Sequence, residues 1–246
     1  MNKSEYRLYS DVEHDHWWFR ARREALNEIL LKIDDKKEKS VLDVGCGAGG
    51  NFKLLYNSFK SADGVDNNSE AVYYSRKNSD NKVELHDANA LSKIETHYDL
   101  VSFLDVLYHK DIINYLSVLR DTFEILNKDG YILIADGAFN VLSGQHSEYV
   151  HGSRRFTKRK LISDLESLGY EIIISRYWGF LLFFIIFLKR RVIEKIPFFT
   201  SNSSNVEQSS PFVNSISYSL VSWERRFFKY FNMPFGSSIL ILAKRK

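Results

Sequence analysis

The residues of this chain best suited to chemistry are carboxylates that close short apolar runs. Asp43 stands inside "SVLDVGCGAGGNF" (residues 40–52), where Gly45, Gly47 and Gly49 alternate with small residues. A glycine-rich turn after a strand lets the backbone approach a ligand where a Cβ would stand in the way. A helix following such a turn offers free N–H groups and positive potential to an anionic ligand group. Asp66 closes the next run, "SADGVD", roughly twenty residues after the turn begins, where an acid accepts from vicinal ribose hydroxyls. Asp87, in "KVELHDA", closes a third and is placed to accept from an adenine amino group. The set suits a nucleotide-like ligand. A dinucleotide fits the spacing too, but Asp43 beside a pyrophosphate is repulsive, whereas beside the ammonium of an amino acid it is attractive.

The elements that position these acids follow from periodicity. Residues 5–31 read as a helix, with Ala21, Ala25 and Ile29 at helical spacing. "DDKKEK" is a charged loop, "SVLDVG" a buried strand, and "GNFKLLYNSF" a helix with Phe52, Leu55 and Phe59 on one face. "SADGVD" is a second strand. "NSEAVYYSRKN" is a helix with Ser69 as its N-cap, and "KVELHDA" is a third strand. A fourth strand lies in "YDLVSFLDVLYH", followed by the amphipathic helix "DIINYLSVLRDTFEIL", the turn "NKDG" and a fifth strand, "YILIAD". "TKRKLISDLESLG" is a helix stopped by Gly169; "YEIIISRY" and "SSILILAKRK" are the sixth and seventh strands. Strands alternating with helices predict a doubly wound, mostly parallel α/β sheet with helices on both faces, whose ligands bind at the carboxyl ends of the strands.

On these residues the chain resembles the class I S-adenosylmethionine-dependent methyltransferases. "VLDVGCGAG" is similar to their first motif, "VDNNSEAV" to the second-strand motif, "HDANAL" to the third and "FLDVLYH" to the fourth. The resemblance implies a Rossmann-like sheet of seven strands with the last antiparallel, and S-adenosylmethionine as cofactor, with S-adenosylhomocysteine as product. It implies that Asp43, Gly45 and Gly47, with the adjoining Cys46, hold the methionine end. Asp66, with Asn67, would hold the ribose, and Asp87 and the Ala88 N–H the adenine. Leu104 and Asp105 would line the floor near the methyl group. The flanks "HDHWWFRARR" and "HGSRRFTKRKL" resemble a subgroup of the broad type 11 methyltransferases. That likeness makes Trp17, Trp18, Phe19 and Arg22 a lid over the cofactor, with Arg22 paired to the methionine carboxylate. His109, after strand four, and His146 and His151, after strand five, are the candidate bases for a hydroxyl acceptor. Arg154 and Arg155 are candidates for an anionic acceptor group. No metal is expected.

Composition narrows the rest. The 246 residues carry 34 Lys and Arg against 31 Asp and Glu, with small scattered basic clusters, which gives no reason to expect nucleic acid. The single cysteine, Cys46, excludes a disulfide framework and fits a cytoplasmic setting. No apolar core like a signal peptide's opens the sequence, and the longest apolar run, residues 178–188, is too short to span a bilayer.

About sixty residues, 178–236, separate strands six and seven, where the plain fold has a short hairpin. They open with "WGFLLFFIIFLKRR", continue through the polar "TSNSSNVEQSSP", and end in a helix from Pro211 with Val213, Ile216, Leu220, Trp223, Phe227 and Tyr230 on one face. The expected layout is one domain over 1–246: an N-terminal helical lid (1–32), a core (40–177 and 237–246) and a helical cap (178–236). The second cap helix is expected to cover the first and to wall an acceptor channel near His109. A homodimer interface and peripheral contact with a membrane, Lys189, Arg190 and Arg191 at the headgroups, are the alternative covers. The predicted activity is methyl transfer to oxygen or nitrogen of a small acceptor, lipophilic or sugar- or lipid-linked. A non-catalytic or membrane-associated cofactor-binding module is the competing reading.

Overall fold

The computed structural model describes residues 15–144, 151–191, 210–228 and 233–246. Its centre is one seven-stranded sheet: β1 (Ser40–Val44), β2 (Ser61–Asp66), β3 (Val83–Leu85), β4 (Tyr98–Leu104), β5 (Leu126–Gly137), β6 (Tyr170–Trp178) and β7 (Ser238–Arg245). The spatial order is β3-β2-β1-β4-β5-β7-β6. β7 lies antiparallel between β5 and β6, and the remaining neighbours pair in parallel. The antiparallel β7 sets this sheet apart from the dinucleotide-binding order. It is buried on both faces, with Ile239, Leu240, Ile241, Leu242 and Ala243 all shut from solvent, as a near-continuous apolar strand requires.

The helices are α1 (Trp17–Leu30), α2 (Gly50–Leu54), α3 (Ser69–Asn78), α4 (Tyr115–Ile125), α5 (Lys158–Ser167), α6 (Phe180–Arg191) and α7 (Pro211–Phe228). Residues 5–14 of the expected first helix lie outside the described residues. Asn68, one residue before the expected Ser69, caps α3, its side chain accepting from Glu70 N at 2.9 Å and Ala71 N at 3.4 Å. Asn114 caps α4 in the same way, so α4 starts later than its apolar pattern suggests. "NKDG" is drawn into β5 instead of forming a separate turn, with Asp129 taking φ +63° at the shift in register. α2 has only five residues. It ends at Leu55, where Asn51 O accepts from both Leu55 N and Tyr56 N, and the chain then turns Tyr56 inward, fully buried.

α1 and α7 pack together through polar groups. Arg225 pairs with Glu24 at 2.7 Å and with Glu28, Tyr218 OH donates to Glu24, and the Arg20 guanidinium lies 4.1 Å from the Tyr218 ring centre. Asn214 Oδ1 accepts from Trp17 N at 2.7 Å. Glu224, buried, accepts from Phe180 N at 2.7 Å and Leu181 N at 2.9 Å, capping α6 from α7. Both amides lie in the first turn of α6, where N–H groups lack intrahelical partners.

This arrangement corrects the expected cap. α7 turns Tyr218, Val221 and Arg225 inward and leaves Val213, Ile216, Leu220, Trp223 and Phe227 exposed. α6 buries Leu182 but exposes Phe184, Ile185 and Leu188. The apolar stripe of α7 therefore does not cover α6. The inward face is chosen by the ion pairs to α1 and by the capping carboxylate, not by the stripe. Tyr230 lies outside the described residues.

Candidate active site

Four parallel strands bring an aspartate each to one edge of the sheet: Asp43 near the end of β1, Asp66 ending β2, Asp105 just past β4 and Asp136 near the end of β5. Asp43 is shut from solvent. Its Oδ1 accepts from Ser102 Oγ at 2.7 Å, and Tyr56 OH, which donates to Ser102 Oγ at 2.7 Å, stands 3.4 Å from the same oxygen. Its Oδ2 accepts from Asn51 Nδ2 at 3.3 Å. Burial pushes the carboxyl up to about 6, opposed by these hydrogen bonds and by the Arg22 charge. Asp43 thus sits at the start of the glycine turn with its carboxylate held by Ser102, Asn51 and Tyr56.

The turn spends most of its amides on the protein. Gly45 N and Cys46 N both donate to Val65 O, at 2.7 and 3.1 Å, and Gly47 N donates to Asp66 Oδ2 at 3.0 Å. With α2 so short, the expected helix N-terminus gives way to the turn itself. Cys46 is buried against Gly64 and Phe52, and burial and Asp43 hold its thiol well above the usual range. Gly47 takes φ +56° and has no atom within 4 Å of where a Cβ would stand, so the turn opens onto free space there. Asp66 is mostly buried. Its other oxygen accepts from Asn68 N at 2.9 Å, and burial raises its pKa against those two amides. Asn67 is exposed beside it. Further along the edge, Asp87 is exposed and accepts from Asn89 N at 2.8 Å and Asn89 Nδ2 at 2.7 Å, with Ala88 half-buried next to it.

Arg22 reaches this edge from α1. Its guanidinium is buried and pairs with Asp105, while its Nε is buried without a hydrogen-bond partner. Asp105 adopts φ +62°, rare for a residue with a side chain, and its N–H donates to Ala135 O at 2.8 Å. Leu104 beneath it is buried in the core. Trp18, one turn before Arg22, packs on Trp178 at the end of β6, ring centres 4.8 Å apart. Trp18 and Arg22 therefore lie on the same sheet edge but face different strands.

Asp136, not among the expected site residues, is buried beside Asp105. Burial, and then the Asp105 charge, hold its pKa well above the usual range. It accepts from Leu107 N at 3.0 Å and Gly137 N at 3.2 Å, fixing the turn after β4. The same signal that marks Asp43, an acid closing an apolar run, marks it in "YILIAD". Arg154 clamps this turn from the other side, donating to Leu107 O at 3.1 Å and Ile112 O at 2.7 Å. Arg155 donates to Ala138 O at 3.2 Å. Arg154 is thus engaged with backbone on both sides, a structural role in place of the expected anion contact, since buried carbonyls need donors; the Arg155 Nε is buried without a hydrogen-bond partner.

His109 and His151 come together, ring centres 5.7 Å apart and nearly perpendicular. A bridge between His109 and Gly152 and a bond from Lys110 N to His151 O at 2.8 Å tie their loops. His109 Nδ1 accepts from Asp111 N at 3.3 Å, and burial lowers its pKa. His146 lies outside the described residues.

These residues fit S-adenosylmethionine. The turn is open at Gly47, carboxylates stand at the ends of β1 and β2 and after β3, and a buried arginine, Arg22, pairs with Asp105 and lends its charge to Asp43. Among the described residues no group of His, Cys, Asp and Glu could hold a metal ion.

Comparison with known proteins agrees. The methyltransferase domain family matches residues 14–174. The chain is 29% identical over 159 residues to an uncharacterized protein of Methanocaldococcus jannaschii, covering 64% of this chain and 66% of that one. It is 26% identical over 123 residues to the mitochondrial ubiquinone biosynthesis O-methyltransferase of Saccharomyces cerevisiae, covering 46% of this chain and 38% of that one. The chain thus spans about two thirds and about two fifths of the length of these relatives. A SAM-dependent methyltransferase structure from Archaeoglobus fulgidus superposes with a TM-score of 0.57 at 19% identity, covering 91% of this chain and 94% of that one. The chain belongs to the methyltransferase domain family, of the class I, S-adenosylmethionine-dependent kind.

Proposed function

We propose that this protein methylates an oxygen or nitrogen of a small lipophilic acceptor, either free or linked to a sugar or lipid. The observation that carries the lipophilic part is an aromatic wall at the carboxyl edge. Phe139, just past β5, lies 4.8 Å from Tyr177 and 5.8 Å from Phe183 of α6, ring centre to ring centre. Phe235, before β7, lies 5.0 Å from Phe183 and 5.1 Å from Phe180. Phe139 follows β5, the strand next to the one that Asp105 follows, and from there the wall runs on over the ends of β7 and β6. An apolar wall with few polar groups selects its ligand by shape and area.

Bound S-adenosylmethionine supplies an electrophilic methyl carbon. The chain's own residues bind and orient. Asp66, fixed by the Gly47 and Asn68 amides, would accept from the ribose hydroxyls. Asp87 and the Ala88 N–H would take the adenine. Arg22 would pair with the methionine carboxylate, and Asp43 supplies negative potential for the ammonium. Asp105, over Leu104, faces the acceptor side. Placing the two reactants accounts for most of the rate. His109 and His151, whose rings meet after β4 and β5, would take the proton of a hydroxyl acceptor; burial lowers the His109 pKa, which favours the neutral state a base needs.

The test is incubation of the purified chain with methyl-labelled S-adenosylmethionine and a cell extract partitioned into organic and aqueous phases. Label in an organic-phase product, read by mass spectrometry, supports the proposal. Label confined to the aqueous phase overturns the lipophilic acceptor.

A further inference from the structure

α7 has two faces with opposite fates. One is committed to α1 and α6 through Asn214, Tyr218, Val221, Glu224 and Arg225. The other carries Phe212, Val213, Ile216, Leu220, Trp223 and Phe227, all exposed, from 36% at Leu220 to 74% at Phe212. The spacing 212, 216, 220, 223, 227 makes these one stripe along the helix. Trp223 and Phe227 stack at 5.2 Å within it. α6, which α7 caps through Glu224, adds exposed Phe184, Ile185 and Leu188. Single exposed apolar side chains are ordinary. A stripe of this length on two joined helices marks an interaction surface.

Charge identifies the partner. Residues 180–232 hold seven Lys and Arg against three Glu, a net +4, whereas the rest of the chain has 27 basic and 28 acidic residues, a net −1. Two of these charges are turned inward and cancel in the count, Glu224 at the cap of α6 and Arg225 in its pairs with Glu24 and Glu28 of α1. The segment with the exposed apolar stripe is thus net positive, while the remainder of the chain, with its basic cluster at 154–160 balanced elsewhere, is near neutral. Arg226 stands exposed next to Phe227.

We infer that the α6–α7 face docks on the surface of an anionic lipid bilayer, with α7 lying in the interface plane. An amphipathic helix with Trp, Phe and Leu on its apolar side and cations around it binds at the boundary of headgroups and acyl chains. Anionic lipid supplies the countercharge. A second copy fits less well, because a two-fold pairing sets each +4 segment against itself. Spanning is excluded for these helices: among the described residues none is long and apolar enough to cross a membrane. The inference goes beyond the proposed acceptor and does not rest on it, although a membrane-bound enzyme would meet a lipophilic acceptor where it is concentrated.

The experiment is flotation of the full chain with vesicles of phosphatidylcholine alone and of phosphatidylcholine with phosphatidylglycerol. Binding to the mixed vesicles is expected to be stronger by roughly tenfold or more, and to fall as salt is raised. Brominated acyl chains should quench the tryptophan fluorescence, and Trp223→Phe should remove most of that quenching. The double variant Trp223→Glu, Phe227→Glu alters two exposed side chains and should lose vesicle binding by roughly tenfold or more. Its circular dichroism and its S-adenosylhomocysteine affinity should stay unchanged, which separates failure to dock from failure to fold. Absence of binding to either vesicle overturns the inference, as does binding that survives the double variant. A dimer in sedimentation that the double variant converts to monomer also overturns it, in favour of a second copy.

Discussion

Replacing Asp43 by Asn separates what this carboxylate does for the fold from what it does for the ligand. In the folded chain burial pushes the carboxyl up to about 6, against roughly 3.9 in an unfolded chain. The folded state therefore binds the proton more tightly. The stability linked to that proton is complete below about pH 4 and is lost as pH rises through about 6. The gap corresponds to about 3 kcal/mol, the cost of an ionised carboxylate in this buried site. Asn keeps an acceptor for Ser102 and Tyr56 without the charge. Urea unfolding should thus find the variant more stable than wild type at about pH 8, with little difference at about pH 4. Ligand binding should move the other way. If the ionised carboxylate attracts the ammonium of S-adenosylhomocysteine, wild-type affinity falls by up to roughly tenfold per pH unit below about pH 6, and proton release accompanies binding there. Calorimetry in two buffers of different ionisation enthalpy reads both quantities, and the Asn variant should lose affinity and pH slope together. A wild-type affinity that stays flat from about pH 5 to about pH 8 would refute the coupling.

Three further substitutions probe the frame around that site. Arg22→Met should weaken S-adenosylhomocysteine by about 2 kcal/mol, roughly thirtyfold, because it removes a charged hydrogen-bond donor; unchanged affinity by calorimetry would return Arg22 to a purely structural pairing with Asp105. Gly49→Ala should cost about 1–3 kcal/mol in urea unfolding, since Gly49 takes φ +86° and a Cβ would stand 2.5 Å from Ser75 Oγ. Glu224→Ala strips the cap from Phe180 N and Leu181 N and should cost about 1–3 kcal/mol; amide exchange should quicken in α6 first, and equal exchange in α6 would count against the capping role.

The sheet was legible because its strands are apolar runs that alternate with amphipathic helices, and each run announces where its carboxyl end lies. Asp43, Asp66 and Asp105 are readable for that reason, and Asp136 was equally readable. Other features depend on partners distant in sequence. The apolar stripe of α7 is plain, yet a stripe reveals only that something apolar is wanted, not which element supplies it. Arg225 meets Glu24 and Glu28 about two hundred residues away, and these pairs turn the stripe outward. Arg154 looked like an anion ligand because its sequence neighbours are basic. It is instead consumed by the carbonyls of Leu107 and Ile112 across the β4 turn. Arg22 showed as part of an aromatic, basic helix, but its partner, Asp105, is set by how that helix crosses the strand ends.

The turn from Gly45 to Gly49, with Asp43, Asp66 and Asp87 around it, is expected to hold S-adenosylmethionine. Calorimetry of the purified chain with S-adenosylhomocysteine and, separately, with NAD tests it most directly. S-adenosylhomocysteine should bind in the micromolar range, on the order of −8 kcal/mol, and NAD should not bind. Asp66→Ala should weaken the nucleoside by about 1.5–3 kcal/mol for each hydrogen bond lost. Binding of NAD with no response to S-adenosylhomocysteine would contradict that role of the turn.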